Sequence, residues 1–61
     1  MTREELIEWR KSTGKSQEQF VRDVIKVRSL RAYQNWEYGL FPVPELVDDK
    51  KKLYDMEKHN T

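Results

Sequence analysis

Apolar residues recur along this chain in a helical rhythm, not in the strict alternation of a strand. Leu6, Trp9 and Thr13 share one helical face, with Ile7 at its edge, because residues three and four apart stack on one side of a helix. Thr2 followed by Glu5 forms a capping-box pattern, and Gly14 supplies the left-handed residue that ends many helices. Together they predict helix one from about residue 3 to residue 12. Ser16 with Gln19 repeats the capping box, and Phe20, Val21 and Val24 then place a second helix over about 17–25. No glycine marks the segment from Ile25 to Ser29, so the turn there has no local signature.

A third helix over about 29–38 buries Leu30, Tyr33 and Trp36, and Gly39 stops it. Pro42 and Pro44 hold the next stretch extended, and Pro44 suits the first turn of a fourth helix over about 44–58. Leu46, Val47, Lys50, Leu53, Tyr54 and Glu57 form its inward stripe. Asp48, Asp49, Lys51, Lys52, Asp55 and Lys58 form an ordinary solvated face. The expected fold is a single all-α, four-helix domain over residues 1–61, with a core of Leu6, Trp9, Phe20, Val24, Leu30, Tyr33 and Trp36.

Composition narrows the function more than the fold. A chain of 61 residues buries only ~60% of its unfolded surface, but two tryptophans, three tyrosines and two phenylalanines can seed a core. There is no cysteine, hence neither a disulfide framework nor a thiolate metal site. The lone histidine, His59, reads as a solvated residue. The longest apolar run is two residues, so neither a signal peptide nor a membrane span is expected, and the default location is cytoplasmic. Catalysis has little to draw on. The carboxylate pairs Glu4–Glu8 and Asp48–Asp49 lie on exposed faces beside basic residues, and two glycines cannot build a phosphate-cradling loop. No enzyme activity, metal, cofactor or small-molecule substrate is expected.

Net charge is only +1, but it is unevenly spread. Residues 1–33 carry eight Lys/Arg against five Asp/Glu, a balance of +3, and residues 34–61 carry four against six, a balance of −2. Arg22, Lys26, Arg28 and Arg31 are opposed locally only by Asp23. With Leu30, Tyr33 and Trp36 turned inward, helix three presents Arg28, Ser29, Arg31, Ala32, Gln34 and Asn35 outward. Those are suitable groups for reading DNA: arginine offers two donors to guanine O6 and N7, and an amide can pair with adenine N6 and N7. On an arbitrary helix they would simply be solvated polar residues.

Arg10, Gly14, Ser16-Gln17 and Trp36-Glu37-Tyr38-Gly39 with Pro42 downstream resemble the phage repressor and Cro (XRE-like) helix-turn-helix family over residues 3 to about 44. A narrower similarity, Arg28 through Gly39 followed by Val43-Pro44, is to the anti-CRISPR-associated (Aca) regulators of phages. This resemblance implies a helix-turn-helix domain in a bacterial host cell, repressing an anti-CRISPR operon as a homodimer on an inverted repeat of double-stranded DNA. It maps Arg31 and Gln34 to base-reading positions, and Arg28, Ser29 and Asn35 to DNA-backbone contacts, with Lys26 and Tyr38 beside them. Gln17 would begin helix two, where its amide can reach a phosphate or brace a reading residue. Arg10 and Glu37 match an internal salt bridge of the family.

The chain departs from the family pattern in three places. The interval from Ser16 to Trp36 is longer than usual, Ile25-Lys26 replaces a turn glycine, and Val21 replaces a small residue. A longer or differently shaped turn follows. A dimer would use helix four, through Leu46, Val47, Leu53 and Tyr54, or the Leu40-Phe41 segment. Two alternatives stay open: a protein-interaction module that captures a host factor or a larger repressor, and an excisionase-like architectural DNA binder.

Overall fold

The computed structural model describes residues 1–59, and side chains through Glu57. Every element among them is helical: α1 Arg3–Thr13, α2 Gln17–Phe20 continuing into a π-helical turn Val21–Ile25, α3 Leu30–Glu37 and α4 Glu45–His59. The expected side-chain environment of His59 lies outside the described residues, as does that of Lys58.

Local hydrogen bonds explain where the helices begin and end. The Glu5 amide donates to Thr2 Oγ1 at 3.1 Å while the Thr2 amide donates to Glu5 Oε1 at 2.8 Å, a closed capping box. Ser16 and Gln19 exchange the same pair of bonds at the start of α2. Gly14 ends α1 at φ 71°. After α3, Gly39 adopts φ 79° and the Leu40 amide donates to Asn35 O at 2.9 Å, which satisfies a carbonyl the helix end would strand.

The core consists of Leu6, Trp9, Phe20, Val21, Ile25, Tyr33 and Val47. Trp9 meets the Phe20 ring edge-on at 4.9 Å between centroids, and Tyr33 lies 5.8 Å from Phe20. These aromatic contacts join α1, α2 and α3 into one body.

Three expectations about packing are corrected. Val24 is only partly buried, and Val21 and Ile25 occupy the core instead. The cause is the π turn, closed by the Lys26 amide donating to Val21 O at 2.6 Å. A wider turn brings Ile25, five residues after Phe20, back to the inner face where α-periodicity would place Val24. Leu30 and Trp36 likewise pack at the rim of the core, not inside it.

The register of α4 is corrected most. Val47 is fully buried in the core, so it is not available as an interface residue. Tyr54 is half-buried with its ring 5.7 Å from Trp9. Leu46, Leu53 and Glu57, expected to point inward, are exposed.

Candidate nucleic-acid interface

The α2–turn–α3 unit displays most of the polar residues singled out from the sequence. Lys26 sits at φ 58° and ψ 39°, the left-handed conformation a glycine would adopt easily, and it reverses the chain between the π turn and α3. The π turn holds one more residue than an α turn, and Lys26 takes the bend that follows it. Ser29 then caps α3, accepting from the Ala32 amide at 3.1 Å. Its hydroxyl oxygen therefore has a structural duty whatever its hydrogen contacts.

Arg28 and Arg31 are exposed, and neither they nor Lys26 form an ion pair among the described residues. Arg22 and Lys15 instead lie 3.5 Å from Asp23. Besides Lys11 on α1 and Lys50 and Lys52 on α4, the cations without an ion pair among the described residues are therefore those at the turn and on α3. Asn35 is half-buried, its carbonyl engaged by Leu40 at the helix end, and Tyr38 is exposed.

Behind this surface lies a polar network centred on Glu37, which is 4% exposed. Arg10 Nε donates to Glu37 Oε2 at 2.6 Å and Arg10 Nη2 donates to Oε1 at 3.3 Å, a forked ion pair. Tyr33 donates its hydroxyl to Glu37 Oε2, and Gln17 Nε2 donates to Oε1 at 3.0 Å. Arg3 Nε reaches the Glu37 carbonyl at 2.5 Å, closing the end of α3 against α1.

Burial pushes the Glu37 carboxyl up, but the hydrogen bonds from Arg10, Tyr33 and Gln17 outweigh it and leave it below its ordinary value of 4.5. Burial first, and the neighbouring carboxylate second, raise the Tyr33 hydroxyl, which stays protonated as a donor. The Arg10 guanidinium is raised chiefly by its bond to Glu37.

One link of the network reaches the outer surface. Gln34 Nε2 donates to Gln17 Oε1 at 3.2 Å, tying the half-buried Gln34 side chain to α2. Gln17 therefore takes the bracing position, with both ends of its amide engaged. The residues α3 turns outward could have been inferred from periodicity. The Gln17–Gln34 tie could not be read from periodicity, since it joins side chains 17 residues apart on separate elements; the resemblance offered only that Gln17 reaches a phosphate or braces a reading residue.

Elsewhere on the surface, Tyr38, Leu40 and Phe41, within the four residues 38–41, are exposed at 59%, 67% and 60%. No group of three or more His, Cys, Asp or Glu among the described residues has an arrangement suited to a metal ion. No helix is long and apolar enough to cross a membrane among those residues. Comparison with protein-family models, curated proteins and solved structures finds no match to this chain.

Proposed function

We propose that this chain is a sequence-specific DNA-binding repressor of the helix-turn-helix type, in which α2 braces the duplex backbone and α3 enters the major groove. The observation that carries this reading is the outer face of α3. Arg31 is exposed and unpaired, Gln34 beside it is held by a built hydrogen-bond chain, and Lys26 and Arg28 flank them without ion-pair partners among the described residues. Unpaired cations beside a restrained amide suit phosphate positioning next to base reading. A homodimer on an inverted repeat doubles the bases read by one short helix. The Aca-like segment from Arg28 to Pro44 supports a phage anti-CRISPR operon as the target.

Selection of bound sequences from a random duplex pool, followed by affinity measurements at two salt concentrations, tests the reading. A steep loss of affinity with salt and an enriched inverted repeat are expected. Arg31→Ala should lose ~1–3 kcal/mol on the selected site and little on unrelated duplexes. A wild type that binds no duplex at low salt sinks the proposal. It would favour the protein-interaction alternative, for which exposed Tyr38, Leu40 and Phe41 are the supporting observation.

A further inference from the structure

The amide of a glutamine can present either its donor end or its acceptor end to a base, and a free side chain can turn over to suit. Gln34 is not free. Glu37, ionised and acceptor-only, takes a hydrogen bond at 3.0 Å from Gln17. Only the NH₂ end of Gln17 can occupy that place, since its carbonyl oxygen would stand against a carboxylate oxygen. Gln17 must therefore turn Oε1 toward Gln34, and Gln34 must answer with Nε2, as observed at 3.2 Å. That leaves Gln34 Oε1 without a donor among the described residues, and one Nε2 hydrogen unused.

We propose that Glu37, acting through Gln17, sets the polarity of the Gln34 amide so that this position of the operator reads adenine and rejects guanine. The inference rests on the DNA-binding reading above. An outward acceptor meets the amino group of adenine N6 or cytosine N4 in the major groove, and the spare Nε2 hydrogen adds a bond to adenine N7. Guanine presents acceptors at both O6 and N7, so its O6 would oppose Gln34 Oε1. Glu37 and Gln17 are positioning residues: neither needs to touch a base.

Reversing the relay tests it. In Gln17→Lys the ammonium is donor-only and can serve both Glu37 and Gln34, so Gln34 must offer Oε1 inward and its NH₂ outward. In Gln17→Met the side chain keeps its length but neither orients nor blocks Gln34. Operator sequences are selected from random duplexes with the full chain of wild type, Gln34→Ala, Gln17→Met and Gln17→Lys, and thermal midpoints are recorded for each. Gln34→Ala identifies the position, as the one whose preference vanishes. There wild type should favour adenine over guanine by roughly 5- to 150-fold. Gln17→Met should flatten that preference, and Gln17→Lys should move it toward guanine or thymine, which present acceptors.

If either folded Gln17 variant keeps the wild-type adenine preference, the relay is overturned while DNA reading by α3 survives. If Gln34→Ala leaves the selected sequence unchanged, Gln34 is not a reader and the relay falls with it. A wild type without any selected sequence removes both this inference and the function on which it rests.

Discussion

Glu37 is the one charged side chain fully buried among the described residues, and it is stable there because three side chains donate to it. Removing one partner of such a pair leaves a charge without compensation, a loss of ~3–5 kcal/mol. Arg10→Ala should approach that loss, a large share of the stability of so small a domain. The same geometry fixes a pH dependence. Glu37 titrates below its ordinary value of 4.5 in the folded chain, so its contribution is complete above that value. It is lost as pH falls through the depressed one. Thermal midpoints of wild type and Glu37→Gln between pH 7 and pH 3 would show this (~2.3RT of stability per proton per pH unit). The wild-type curve should drop more steeply on the acid side, narrowing the gap. Parallel curves would mean that the carboxylate gains nothing from its three donors.

At the scale of elements, the turn before α3 holds a strained residue. Lys26 at φ 58° is a non-glycine residue in the left-handed region, where an L-residue costs ~1–2 kcal/mol. Lys26→Gly should relieve that strain and forfeit some unfolded-state entropy, for a net gain of ~0.5–1 kcal/mol. The variant should also weaken DNA binding on all sequences alike, with a salt slope shallower by ~1. A lower thermal midpoint would contradict the first expectation, and an unchanged salt slope the second. Helix ends were legible in the sequence wherever they depend on neighbours, as at Thr2–Glu5, Ser16–Gln19, Gly14 and Gly39. Packing register was less legible. A π turn breaks the 3.6-residue rhythm, so Ile25 takes the place expected of Val24. On α4, apolar residues occupy two adjacent stripes, and periodicity alone cannot tell which one faces Trp9. Of the candidate site, the outward face of α3 followed from its pattern. The Arg10–Glu37 pair was accessible only through family resemblance, which also offered bracing as one of two roles for Gln17, but that Gln34 is the residue braced depends on how α2 meets α3.

At the scale of the whole molecule, the corrected register of α4 changes how two copies would meet. Val47 and Tyr54 face the core, which leaves Leu46, Leu53 and Met56 exposed at 44%, 59% and 59%. Leu53 follows Leu46 by two helical turns and Met56 lies one turn further on, so the three form a stripe along one side of α4. An antiparallel pairing of two α4 helices about an axis near Asp49 and Lys50 sets Leu46 of one copy against Leu53 of the other. Apolar residues thus match across one register, as a self-complementary two-fold contact requires. For the proposed repressor, such an axis must also carry the two α3 helices to successive major grooves, ~34–36 Å apart. Leu53→Glu should therefore turn a sedimenting dimer into a folded monomer and weaken binding to an inverted repeat more than to a single half-site. Tyr54→Glu should instead lower the thermal midpoint, since its ring packs 5.7 Å from Trp9. The helix-four dimer is refuted if wild type sediments as a monomer at tens of micromolar (a Kd above ~10⁻⁵ M, weaker than about −7 kcal/mol) and Leu53→Glu binds the inverted repeat as tightly as wild type.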